Sequence, residues 1–215
     1  MKFASSMPHD AARQHVNGSA RYVDDIPIPH GTLHLAFGLS SVAAGTITSV
    51  DLSAVRAAHG VHLVIEARDL PFANDVSPSA HDEPLLANAT VHYAGQPIFL
   101  VVAESHHDAR RAARLAKIKI VEIPAILTIQ QALTADSRFE DGPRIYAKGD
   151  IYQALPKAKN RLSGSINVGG QEHFYLEGQA ALAMPGDNDD MVVHSSTQHP
   201  TEIQHKVAEA LNISQ

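Results

Sequence analysis

Residues 96–123 constrain the fold more tightly than any other stretch of this chain. IFLVVA (98–103) is six consecutive apolar residues, the pattern of a strand covered on both faces. Ser105 stands three residues before Asp108, an order that suits a capped helix start. Ala109, Ala112, Ala113 and Ala116 then recur at helical spacing, with Arg110, Arg111 and Arg114 opposite. KIKIVEI (117–123) returns to alternation with β-branched residues. Strand, helix, strand implies a crossover packed on a sheet, and hence an α+β domain that closes near Ala125.

Upstream of this unit, residues 1–16 read as an irregular arm. Strands are expected at 33–39 and 45–52 around the turn signal Ala44-Gly45, a short helical turn at 53–58 and a buried strand at 61–65. Residues 68–83 carry Pro71, Asn74, Asp75, Pro78 and Asp82 and read as a long loop, a kind of segment that is often functional or interface-forming. The expected domain therefore covers 17–125. Residues 126–160 form a linker, with a short helix at 128–135 and the turn-rich SRFEDGPRIYAKGD, which contains Asp141-Gly142-Pro143.

A third region, 161–215, is expected to run as strand (162–168), the segment GGQEHFYLE (169–177), strand (178–184), a PGDND turn, strand (191–195) and helix (200–211). The helix is well signalled. Pro200 suits the first helical position, where its missing N–H costs nothing, and Glu202 favours the positive end. Ile203, Val207, Ala210 and Leu211 make one apolar stripe. Gln198 then lies in a strand-to-helix turn, where ligands tend to meet α/β proteins.

Composition removes several function classes. The chain has 215 residues, 44% apolar and 19% charged, which is ordinary for a globular protein. Net charge is −6, from 17 basic and 23 acidic side chains. That balance argues against nucleic-acid binding, which needs a basic face to displace counterions, and against an anionic membrane surface; the three arginines read as a solvated helix face. There is no cysteine, which excludes disulfides, thiolate zinc sites, a cysteine nucleophile and an iron–sulfur cluster held by these residues. No run of eighteen apolar residues occurs, and MKFASSMPHDAARQH lacks an apolar signal core. A soluble, cytoplasmic chain is expected.

Local chemistry gives few catalytic leads. His199, Glu202 and His205 do not make the i, i+4 histidine pair of zinc proteases and read as a solvated helix face. His106-His107 and His81-Asp82-Glu83 read likewise as surface groups. No GxSxG elbow, P-loop or GxGxxG is present. Gly169-Gly170 allows either close approach of a ligand or a tight turn. In GGQEHFYLE, Phe174 and Leu176 are expected to pack inward while Glu172, His173 and Tyr175 form a hydrogen-bond network. That network would either organise a buried site or tie strands together.

Five stretches in register, GSARYVDDIP (18–27), DEPLLA (82–87), YAGQPIFLVVA (93–103), GGQEHFYLE (169–177) and SSTQHPTEIQH (195–205), resemble the xanthine dehydrogenase/aldehyde oxidase family over nearly the whole chain. The resemblance implies an α/β hammerhead domain followed by the beginning of a molybdopterin-binding domain. It implies a molybdenum–molybdopterin cofactor, hydroxylation of purines such as hypoxanthine and xanthine, and electron exit through 2Fe-2S clusters and FAD on a small partner subunit. One site residue carries over: Gln198, the glutamine of STQ, which hydrogen-bonds an oxygen ligand of molybdenum without ligating the metal. Gln171, Glu172 and His173 carry over only as support within the fold.

The sequence departs from the family pattern at Val121-Glu122-Ile123-Pro124, where a tyrosine–glutamate-rich stretch is usual, and at 212–215, where a glycine-containing helix exit is usual. The GGFGGKE-like cofactor loop, the substrate-orienting arginine and the catalytic glutamate would all lie downstream. The expectation is therefore a truncated or split subunit with no catalytic residue of its own, inactive until joined by the missing C-terminal part. Two alternatives stand beside it: a non-catalytic assembly or interaction module, and a fragment of an aldehyde-oxidising molybdenum enzyme.

Overall fold

A computed structural model describes residues 7–78, 80–138, 142, 144–188 and 190–214. One compact unit takes in the described residues up to Ile123 and from Leu176 onward; a second spans Pro124–Tyr175.

In chain order the first unit opens with α1 (Ala12–Asn17), closed by Gly18 at φ 75°. The irregular arm expected over 1–16 is thus helical at its end, because a glycine in the left-handed region can accept the helix exit; residues 1–6 lie outside the described residues. Then come β1 (His34–Leu39), β2 (Gly45–Asp51), α2 (Ser53–Arg56), β3 (Val61–Glu66), β4 (Thr90–Val91), β5 (Pro97–Ala103), α3 (His106–Ala113) and β6 (Lys117–Glu122). The two-residue strand β4 carries too little pattern to be read from sequence.

These strands form two antiparallel sheets, ordered β1-β5-β3 and β4-β2-β6. The strand–helix–strand unit is present, but β5 and β6 belong to different sheets. The crossover expected within one sheet is therefore corrected: β6 is taken by β2 in antiparallel register, Thr46 opposite Val121. The helix α3 starts as expected. Ser105 Oγ accepts the Asp108 N–H at 3.1 Å and donates to Asp108 Oδ2 at 2.6 Å. Ala109 and Ala112 are buried with Ala36, Val64, Phe99, Val101 and Ala103, which forms the core on one side of the β1-β5-β3 sheet.

After a 3-10 turn at Ala67–Asp69, the described residues of 70–83 are irregular. Two side chains organise them. Asn74 clamps Leu86, its Nδ2 donating to the Leu86 carbonyl at 2.7 Å and its Oδ1 accepting the Leu86 N–H at 3.0 Å. Asp75 accepts from the Ser77 N–H (3.0 Å), the Ser77 hydroxyl (2.5 Å) and His81 Nδ1 (2.5 Å). These bonds hold the Asp75 carboxyl well below its ordinary range, the Ser77 hydroxyl contributing most and His81 next.

The second unit holds α4 (Ile129–Thr134) and α5 (Ile151–Lys157). The short helix expected at 128–135 is present as α4, and Thr128 and Gln131 close a capping box on it. Within the stretch expected as a linker, α5 is new; Asp150 accepts the Gln153 N–H at 3.1 Å, a capping signal readable from the sequence. Asp141 and Pro143 of the expected turn lie outside the described residues. None of the described residues of Pro124–Tyr175 is buried. Residues 162–168 form no strand, correcting that expectation: Leu162 and Ile166 are almost wholly exposed, and an alternating pattern needs a neighbouring strand to become one.

The chain ends on the antiparallel hairpin β7 (Ala181–Pro185) and β8 (Met191–Ser195), followed by α6 (Pro200–Leu211). The strand expected at 178–184 begins three residues later; Asp189 of the intervening turn lies outside the described residues. Asn212, at φ 53°, ends α6 in the left-handed conformation, so asparagine fills the exit that glycine usually serves.

Candidate functional site

Gln198 sits at the bend between β8 and α6, exposed to solvent. Its neighbours hold the bend. Ser196 is tied back to the foot of β7: its N–H donates to the Ala180 carbonyl at 3.0 Å, and its Oγ accepts the Ala180 N–H at 2.9 Å. Thr197 Oγ1 accepts the His199 N–H at 3.0 Å. His199 is the N-cap of α6, its Nδ1 accepting the Glu202 N–H at 3.1 Å. Threonine and histidine thus bind local backbone and serine binds backbone across the hairpin, while no hydrogen bond to the Gln198 amide occurs among the described residues.

Such an amide can present one carbonyl acceptor and two N–H donors to a ligand and brings no charge. These properties fit a hydrogen bond to an oxygen ligand of a molybdenum centre, the role expected for Gln198. Next to the turn, an open cleft of about 480 Å³ runs between β8 and α6, lined among others by Met191, Val193, Thr197, Ile203, Val207 and Ile213. Gln198 is not among its lining residues.

The remaining sequence candidates divide clearly. His199 and Glu202 come together, but as a helix cap with the imidazole and carboxylate 3.9 Å apart. Among the described residues no group of three or more histidine and acidic side chains could hold a metal ion. His81 turns away from its sequence neighbours to Asp75. Arg111 pairs with Asp108 at 2.9 Å.

GGQEHFYLE differs most from expectation. Its residues up to Leu176 carry no regular structure, and Phe174 and Leu176 are 92% and 86% exposed instead of packed inward. Phe174 adopts φ 52°, which breaks any extended run, and its N–H meets Glu172 Oε1 at 3.3 Å. The residue that acts at long range is Glu177. Its Oε1 accepts the Val23 N–H at 2.9 Å, at the start of a 3-10 turn whose Tyr22 N–H is held by Asp25 Oδ2 at 2.9 Å. One carboxylate therefore ties Glu177 to Val23 within the first unit, 154 residues apart. No local pattern in the sequence announces that contact.

Known proteins match this chain over nearly its whole length. Residues 17–124 match the family described as aldehyde oxidase and xanthine dehydrogenase, a/b hammerhead domain, and residues 138–215 match a molybdopterin cofactor-binding domain. The chain is 42% identical over 207 residues to a xanthine dehydrogenase of Drosophila subobscura, covering 95% of this chain and 15% of that protein. It is 39% identical over 210 residues to one of Oryza sativa, covering 96% and 15%. Among solved structures, the aldehyde oxidoreductase from Desulfovibrio gigas matches with TM-score 0.79 and 28% identity over 96% of this chain and 25% of its own. Quinoline 2-oxidoreductase from Pseudomonas putida 86 shares the fold, with TM-score 0.81 at 24% identity over 97% and 28%. The chain spans about 15% of the length of the curated relatives it matches.

Proposed function

The chain belongs to the aldehyde oxidase and xanthine dehydrogenase family, and on that footing we propose that it forms the front portion of the molybdenum-cofactor subunit of a xanthine dehydrogenase-type hydroxylase. Its domains would be the hammerhead at 17–125, a linker at 126–160 and the start of the molybdopterin-binding domain at 161–215. The proposed reaction is oxidative hydroxylation of hypoxanthine and xanthine in cytoplasmic purine catabolism. The substrate assignment rests on the 42% identity to a xanthine dehydrogenase, against 28% to the aldehyde oxidoreductase.

Bound molybdenum–molybdopterin would supply the two-electron oxidation of an electron-poor carbon. What this chain adds is orientation. The observation that carries the reading is the Gln198 amide, held on a bend fixed by Ser196, Thr197 and His199 and left free of protein partners among the described residues. A neutral donor placed there would hold an oxygen ligand of the metal without changing the charge of the centre. The downstream part of the subunit would supply the remaining cofactor contacts and the catalytic groups, so these 215 residues alone would be inactive. These residues contain no cysteine and so would not hold the 2Fe-2S clusters themselves; the clusters and FAD are proposed to sit on a small partner subunit.

The test is Gln198→Ala in the complete subunit, with molybdenum content and turnover measured on hypoxanthine, xanthine and an aldehyde. Lower turnover with an unchanged fold is expected, because the side chain is exposed and forms no hydrogen bond among the described residues. Normal metal content together with normal turnover would refute the role of Gln198. Preference for the aldehyde would refute the purine assignment.

A further inference from the structure

Resting on the family reading above, we propose that the outer face of the β1-β5-β3 sheet is the surface on which the polypeptide completing the subunit docks. The inner face is covered by α3 and holds the core. On the outer face the strand register sets Leu35, Val102 and Leu63 in one row and Phe37, Leu100 and Ile65 in the next. Every position in the two rows is apolar. Leu35, Phe37 and Leu63 are 57%, 46% and 52% exposed, and Val102, Leu100 and Ile65 are half-buried between them. A sheet strand surrounded by apolar neighbours on both faces is stable only when both faces are covered. Contiguous apolar surface of this kind marks an interface.

The occupant follows from length and chemistry. In the aldehyde oxidoreductase structure the matched region is 25% of the chain, so three quarters of that fold lies outside the residues compared and is available to cover a face of the matched part. The two rows carry no charge in a chain of net charge −6. The covering surface must therefore be apolar protein; a phosphate or a charged peptide would find no partner there.

The absence of cysteine makes a thiol placed on this face the chain's sole labelling site. Leu63→Cys, with Arg110→Cys at an exposed position of α3 as control, is prepared in the isolated chain. Both are also prepared in the Drosophila subobscura xanthine dehydrogenase whose 207 matched residues are replaced by this chain. Maleimide incorporation is read on the peptide carrying the new thiol. We expect Leu63→Cys to label at least about tenfold more slowly in the chimera than in the isolated chain, and Arg110→Cys to label equally in both. Equal rates for Leu63→Cys would overturn the inference.

A second measurement covers a chimera that does not fold. The isolated chain should bind an apolar dye several-fold more strongly than its Leu35→Lys/Leu63→Lys variant of unchanged circular dichroism, and equal binding would overturn the docking face. A chimera that protects Leu63→Cys but holds no molybdenum and does not hydroxylate purines counts against the catalytic reading and leaves the docking face standing.

Discussion

Removing the Glu177 carboxylate tests whether one hydrogen bond joins the two ends of the first unit. Its Oε1 accepts the Val23 N–H at 2.9 Å, and both residues are half-buried. A hydrogen bond to a charged group contributes roughly 1.5–3 kcal/mol in mutational series. Water can reach both partners here, so Glu177→Ala should cost about 1–1.5 kcal/mol. Glu177→Gln retains an acceptor oxygen but not the charge, and about half that loss is expected. Because about 1.4 kcal/mol is a factor of ten in an equilibrium constant, exchange of the Val23 amide should accelerate about tenfold in the alanine variant and about threefold in the glutamine variant. The measurement is amide hydrogen exchange on the 215-residue chain, paired with denaturant unfolding. Unchanged Val23 exchange in Glu177→Ala would refute the bond. A glutamine variant as damaged as the alanine one would show that charge, and not an acceptor at that point, holds the segment.

The contrast between legible and illegible features follows the range of the interactions. The helix α3 and strand β5 could be read because their determinants are local: a capping serine, alanines at helical spacing and an unbroken apolar run. The partition of β5 and β6 into separate sheets could not, because pairing is decided by β2, some seventy residues earlier, competing for β6. Pro200 on one side and the β8 pattern on the other are local signals that place Gln198 in its turn. The fastening of that turn was hidden, since Ser196 reaches Ala180 across the hairpin, and the capping of α6 by His199 is not the usual serine, threonine or aspartate signal. GGQEHFYLE misled for the opposite reason. Its mixture of aromatic and polar residues suggests packing, but packing needs a surface to meet, and Phe174 stays 92% exposed.

Two further outcomes test the packing of the sheet and the charge of the long loop. A Cβ added at Gly38 would lie 1.9 Å from Phe99 Cε1, on a ring with no exposed surface to move into. Gly38→Ala should therefore cost about 1–3 kcal/mol, and combining it with Phe99→Leu should cost less than the two added together. Strict additivity in denaturant unfolding would refute the clash. For Asp75, hydrogen bonds from Ser77 and His81 favour the charged carboxylate and depress its pKa in the folded chain from an ordinary 3.8. When pH falls below that value, the unfolded chain takes up a proton that the folded chain resists. Stability is therefore complete above it and declines as the solution is acidified toward the lower folded value. Asp75→Asn keeps an oxygen for Ser77 and has no proton to gain, so its unfolding free energy should fall less steeply than that of the unaltered chain below about pH 4. Unfolding curves recorded at steps between neutral and strongly acidic pH measure both slopes, and parallel slopes would mean that the Asp75 hydrogen bonds do not distinguish the folded chain from the unfolded one.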